Sequence, residues 1–203
     1  MSSSRTTSAA GAASRTADLA LIAVFTALVI VLGFVAVPVG VAGVPLLLQN
    51  TAVIMAALVL GPRRGFAVAG LFLLIGLALP VLAGGRTTIY ALGSPTVGYV
   101  ISYLVAVPVA GFIAARGVDK HKATAAALLV IAGFIGLAIE YVLGAVGLML
   151  RAGLDPAAAA AAQLPFIPAD AVEMAVMVAV AMGVSTAFPQ LMERAPRGAG
   201  DTR

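Results

Sequence analysis

Three acidic residues lie within long apolar segments of the chain, where ionisable side chains are rare. They are Glu140, Asp170 and Glu173. If these segments cross a membrane, an ionised carboxylate at mid-bilayer costs on the order of 2.5–3.5 kcal/mol, even on the most lenient insertion scale. Each acid is therefore expected to face a polar cavity, a partner group or the membrane interface.

The spacing of Asp170 and Glu173 places both on one face of a helix, in its first turn. They are then either ordinary helix caps or part of a recessed site, open to the outside, whose carboxylates accept hydrogen bonds from a ligand's N–H groups. Glu140 is predicted at mid-helix, where capping is not available. It either faces the same cavity or carries a proton.

Three further polar residues are candidates for ligand contact. Arg86 follows two glycines in a predicted outer loop; its planar guanidinium is suited to hold a carboxylate, or it is a solvated loop residue. Gln49 and Asn50 begin a predicted helix. Buried amides in membranes usually join helices, and contact with a ligand is the alternative.

The composition is that of an integral membrane protein: 62% of residues are hydrophobic and 10% charged, with a mean hydropathy of +1.13. There is no cysteine and one histidine, so neither a thiolate nor a His-rich metal centre is expected, and no cofactor is predicted. The basic residues form no stripe, which argues against nucleic acid. No nucleotide-binding or hydrolytic motif is present, so we predict no enzyme.

Proline, glycine and charged residues divide the apolar sequence into helices of membrane-spanning length. The fold class predicted is an all-α membrane protein, a bundle of six transmembrane helices. The helices are expected at 18–37, 45–60, 66–83, 96–115, 123–150 and 168–191, with a short surface helix at 156–163. The domain organisation is a disordered cytoplasmic tail at 1–17, the membrane domain at 18–191 and a flexible cytoplasmic tail at 192–203.

The basic residues fix the predicted orientation. With the N-terminus inside, ten of the 12 Lys and Arg residues are cytoplasmic, and Arg86 and Arg151 are outside. The positive-inside rule therefore predicts that both termini are cytoplasmic. In the first predicted helix, Ala23 and Ala27 form a small-residue strip that either packs against a neighbouring helix or presents a flat surface to another protein.

Five segments together resemble a known family. They are VPLLLQNTAV at 44–53, LGPRRG at 60–65, GLALPVLAGG at 76–85, GSPTVGY at 93–99 and LPFIPAD at 164–170. In order and spacing, across residues 18–190, the chain resembles the BioY family, the biotin-specific S components of energy-coupling-factor (ECF) transporters.

This resemblance implies a six-helix bundle in the plasma membrane of a prokaryote. Such a protein binds biotin in an outward-facing pocket and pairs with a transmembrane coupling protein and two ATP-binding cassette ATPase subunits. Asp170 matches the acid expected to hold the vitamin's ureido head. Ala23 and Ala27 match the surface that faces the coupling protein.

The set expected to bind the ligand comprises Asp170, Glu173, Arg86, Gln49, Glu140, Tyr141 and Tyr99. One departure concerns the family pattern Pro-Gly-Asp-x-x-Lys, in which Ala169 replaces the glycine and Glu173 the lysine. Either another cation such as Arg86 takes over the role of the lysine, or the substrate differs from biotin.

Two other functions remain open. A proton-coupled secondary carrier for a small vitamin-like carboxylate, working alone, would use Glu140 and Glu173 as titrating groups. The lack of a clear internal repeat counts against it. A scaffold or an intramembrane enzyme is the least supported, because a scaffold has no use for buried acids and an enzyme would need a catalytic constellation.

Overall fold

The computed structural model describes residues 3–38 and 45–192. This part of the chain contains eight helices and two short strands. The helices are α1 Ser3–Leu32, α2 Gln49–Leu60, α3 Pro62–Ala78, α4 Thr88–Gly93, α5 Val97–Ala115, α6 Lys122–Ala152, α7 Pro156–Ala161 and α8 Ile167–Ala187, and the strands are β1 Ala36–Pro38 and β2 Pro45–Leu47.

Four helices of the described region are long and apolar enough to cross a membrane: the Arg15–Leu32 part of α1, and α5, α6 and α8. The prediction of a helical membrane protein is therefore confirmed. The count of six crossings and the position of the termini stay predictions.

Several boundaries differ from those expected. Helix α1 begins at Ser3, and the cytoplasmic tail expected at 1–17 stays a prediction. The predicted third helix ends early, at Ala78, because Leu79 precedes Pro80 and takes an extended conformation. Of the C-terminal tail predicted at 192–203, all residues after Met192 lie outside the described part of the chain.

The connection between the first two predicted helices is not the plain loop that the sequence suggests. Strands β1 and β2 pair antiparallel, with Ala36 opposite Leu47 and Pro38 opposite Pro45. Apart from these two three-residue strands, the elements of the described chain are all helices, in agreement with the all-α class predicted from the sequence. Helix α1 ends at Leu32, before the predicted residue 37, and the next residue, Gly33, packs against Gln49 in the space that a Cβ would occupy. Residues 39–44 lie outside the described region.

Helix α2 is the central element of the bundle. Eleven of its 12 residues are buried, and it contacts α1, α3, α5, α6 and α8. At 1.5 Å per residue it is only about 18 Å long, so its polar N-terminal turn lies inside the bundle rather than at a surface.

Helices α5 and α6 pack backbone to backbone. The position of a Cβ on Gly98 is occupied by the main chain at Leu143 and Gly147, and the Tyr99 ring lies against Gly144. Glycine lets the two helices approach this closely, which is the main source of packing energy between apolar helices in lipid. The contact sets the position of α6, which carries Glu140.

Candidate functional site

Glu140 is buried in the middle of α6 with only 3% of its surface exposed. Within the described residues, neither of its carboxylate oxygens has a hydrogen-bond partner. Buried polar atoms are nearly always paired, and an unpaired buried acid in an apolar bundle is costly. Two open acceptor positions inside the protein are typical of a site that another group fills.

Glu173 is also buried, with 4% of its surface exposed. One oxygen, Oε2, accepts a hydrogen bond of 3.1 Å from the hydroxyl of Thr51 in the first turn of α2. The other, Oε1, has no partner in the described part of the chain. The central helix thus fixes the orientation of Glu173 and leaves one acceptor unfilled.

Asp170 is half-buried one turn earlier on α8, and it accepts a hydrogen bond from the phenol of Tyr141. The N-cap residue of α8, Phe166, makes no side-chain capping bond. The hydrogen bonds of Asp170 and Glu173 run to side chains of α6 and α2. The structure favours the interior site over the capping interpretation.

Glu140, Asp170 and Glu173 form one electrostatic unit, called here the carboxylate cluster. The charges of Asp170 and Glu173 both act on Glu140. The phenol of Tyr99 on α5 is close enough to interact electrostatically with Glu140 and Asp170. An ion pair in the described residues joins Arg64 and Asp18, and neither residue is part of the cluster. Nor does any group of three or more His, Cys, Asp or Glu side chains there have the arrangement of a metal site.

Two further hydrogen bonds join elements around the cluster. Tyr99 donates to Gln163, between α7 and α8, at 2.8 Å, and Tyr103 donates to Asn50 of α2 at 2.8 Å. Tyr103 and Thr51 were missing from the predicted set. Tyr103 lies one helical turn after Tyr99 and so shares its face. This spacing is the sequence signal by which Tyr103 could have been found.

Gln49 has 1% of its surface exposed and bonds to main-chain groups. Its Nε2 donates to the carbonyls of Val29 at 3.2 Å and Val81 at 2.9 Å, and its Oε1 accepts from Ala83 N–H at 2.7 Å. Both donor hydrogens are used. The structure thus gives Gln49 the role of joining α1, α2 and the segment after α3, and shows no free donor for a ligand.

Arg86 is exposed in the loop after α3, where Gly84 and Gly85 take positive φ angles of 74° and 70°. Its guanidinium lies over the ring of Tyr90, 5.5 Å from the centroid. In the described part of the chain, no ion pair links Arg86 to the carboxylate cluster. The structure therefore brings Glu140, Asp170, Glu173, Tyr99 and Tyr141 together and leaves Arg86 outside this group.

Ala23 and Ala27 are both exposed on α1. They share that side with exposed Leu19, Val24 and Val31. The alanine strip is therefore not packed inside this chain, and its contact with another protein stays a prediction.

The fold and the interior together define a multi-pass helical membrane protein with an acidic site inside its bundle. A model of the BioY family matches residues 3–190. The chain belongs to the BioY family.

Similar proteins cover nearly the whole chain. The biotin transporter BioY of Rhodobacter capsulatus is 39% identical over 186 residues, which is 86% of this chain and 96% of that protein. The biotin transporter BioY of Rhizobium etli is 32% identical over 185 residues, covering 89% and 99%.

A solved structure is similar as well. The crystal structure of the S component for biotin from an ECF-type ABC transporter aligns with a TM-score of 0.75 and 26% identity, over 89% of this chain and 97% of that chain.

Proposed function

We propose that this chain is the membrane-embedded biotin-binding subunit, or S component, of a vitamin uptake transporter. The observation that carries the proposal is the set of buried carboxylate oxygens without partners on Glu140 and Glu173. Biotin's ureido ring carries two N–H donors and one carbonyl, so it can supply hydrogen-bond partners to buried carboxyl groups. Relatives that cover most of the chain are named biotin transporters.

The site we propose is built around the carboxylate cluster. Asp170 and Glu173 accept hydrogen bonds from the ligand's N–H groups, with Tyr99 and Tyr141 beside them. Arg86 is exposed near the outer loop, and its cation is available to the carboxylate at the other end of the vitamin. Gln49 positions the surrounding elements.

We propose a topology of six crossings with both termini in the cytoplasm. Arg64 pairs with Asp18 at 2.6 Å and donates to the carbonyl of Leu191 at 2.8 Å. Segments expected at the cytoplasmic face are thus neighbours. At the opposite ends of the same helices, Gln49 joins the end of α1 to the segment after α3. This arrangement is expected if successive helices cross the membrane in opposite directions.

We propose further that the protein resides in the plasma membrane of a prokaryote and imports biotin with a transmembrane coupling protein and two ATPase subunits. The absence of a nucleotide-binding motif from the sequence supports a separate source of energy. The solved structure named above, the S component of an ECF-type ABC transporter, supports the same assembly.

Binding of labelled biotin to the purified protein tests the function. We expect retention at nanomolar ligand. Asp170→Asn should weaken it by about tenfold or more, because a neutral amide is a poorer acceptor than a carboxylate for N–H groups. Val172→Ala, a change on the exposed side of the same helix, is the control. Absence of binding to the wild-type protein at micromolar biotin would refute the biotin assignment.

A proton-coupled carrier that works alone is the second candidate, and the unpaired carboxylate of Glu140 favours it. Uptake into vesicles separates the two functions. If a pH gradient drives biotin uptake into vesicles that contain this chain and no ATPase, the carrier is correct and the S component is not.

A further inference from the structure

Glu140 differs from the two acids of α8 in its surroundings. Asp170 accepts a hydrogen bond from Tyr141 and Glu173 accepts one from Thr51. In the described residues Glu140 accepts none, although it is the most buried acid of the cluster. A hydroxyl that donates to a carboxylate favours the ionised form. Glu140 lacks that support.

Among the residues that the structure describes, the groups facing Glu140 offer it no positive charge. Helix α6 packs against α5, α8, α2 and α7, and neither α2 nor α7 contains a titratable residue. The titratable groups that interact electrostatically with Glu140 are all acids or phenols. They are Asp170 and Glu173 of α8, Tyr99 and Tyr103 of α5, and Tyr141 of α6 itself.

Three ionised carboxylates in this environment would repel one another without compensation. No metal arrangement exists among the described acids, so a proton is the simplest compensating charge. The proton belongs on Glu140, because no hydrogen-bond donor in the described residues stabilises its ionised form. A protonated carboxyl group has one O–H donor and keeps an acceptor, and proteins do hold buried acids neutral in order to donate.

We propose that Glu140 is held as a neutral carboxylic acid and donates a hydrogen bond to a carbonyl oxygen of the bound ligand. The inference rests on the proposed function and specifies which groups of the ligand each acid recognises. A cyclic urea carries one carbonyl between two N–H groups. Asp170 and Glu173 accept from the N–H groups, and Glu140 supplies the donor that the carbonyl needs.

Two variants of Glu140 test this role in the purified, full-length protein. Glutamine keeps an N–H donor in nearly the same place, whereas leucine has none. We expect E140Q to weaken biotin binding by about threefold and E140L by about ten- to a hundredfold, as for a buried acceptor left unpaired. In alkaline buffer the wild-type protein should lose affinity as Glu140 ionises, and E140Q should not.

The result that overturns the proposal is equal loss of binding in E140Q and E140L, with both variants unfolding at the wild-type temperature. Glu140 would then act as a charged acceptor. Infrared spectroscopy gives an independent measurement: the wild-type protein should show the carbonyl absorption of a protonated carboxyl group, and E140Q should lack it. No such difference would refute the neutral acid.

The infrared measurement needs no ligand, so it separates this inference from the proposed function. If the absorption is present and the wild-type protein binds no biotin, the biotin assignment fails and the neutral acid stands. If biotin binds tightly and the absorption is absent, the function stands and the inference fails.

Discussion

At the scale of single residues, Gln49 and Glu140 show how similar sequence signals lead to different roles. Both are polar side chains in apolar helices, and both are almost fully buried. The amide of Gln49 is bonded to the main chain on three sides, while both oxygens of Glu140 are unpaired in the described structure. Gln49 therefore holds parts of the fold together, whereas Glu140 is the acid that we propose meets the ligand.

Gln49→Leu should destabilise the protein. The change keeps most of the volume and removes the hydrogen bonds to the Val81 carbonyl and the Ala83 N–H, at about 1–3 kcal/mol for each group that finds no other bond. Thermal unfolding in detergent measures the effect. Thr186→Val is the control, since that exposed hydroxyl bonds within its own helix. An unchanged unfolding temperature for Gln49→Leu would contradict the structural role.

At the scale of elements, the contact between α5 and α6 holds α6, the helix that carries Glu140, in place. Gly98→Ala would put a methyl group into the main chain at Leu143 and Gly147, and backbone cannot move aside as a side chain can. We expect a loss of stability of about 1–3 kcal/mol, as for other overpacked sites. Biotin binding should weaken in parallel, because Glu140 lies on the displaced helix.

Gly183→Ala on α8 is the matched control for Gly98→Ala, because a methyl group there meets no atom within 4 Å. It should leave the unfolding temperature unchanged or raise it slightly, since alanine favours helix more than glycine. Equal behaviour of the two variants would show that the α5–α6 contact does not depend on close backbone approach.

At the scale of the whole molecule, we propose that the exposed alanine strip on α1 is the surface that meets the coupling protein. Ala27→Leu should reduce co-purification with the coupling protein by about tenfold, because a large side chain separates two surfaces that meet at a flat strip. Biotin binding to the isolated chain should persist. Ala179→Leu, at an exposed alanine of α8, is the control, and equal losses in both variants would argue against a specific surface.

The absence of cysteine from the sequence makes the topology directly measurable. Lys120 and Ala157 are exposed at opposite faces in the proposed layout. In intact cells, a membrane-impermeant maleimide should label Ala157→Cys and not Lys120→Cys, and both should react once the membrane is permeabilised. Labelling of both, or the reverse pattern, in intact cells would rule out the proposed orientation.

The sequence alone determined the helical membrane class, the approximate bounds of α5, α6 and α8, and the identity of the acids. These features depend on local properties: the length of apolar runs, the positions of Pro and Gly, and the cost of charge in lipid. The same local pattern missed the pairing of β1 with β2, because short strands form only when a partner segment lies beside them.

Only the tertiary structure decided what each polar side chain meets. Thr51 and Glu173 are 122 residues apart, and Tyr141 and Asp170 are 29 apart. Such pairs depend on how helices are rotated and packed, and no periodicity in the chain records that. For the same reason, only packing distinguishes a bonded Gln49 from a Glu140 with two unfilled acceptors.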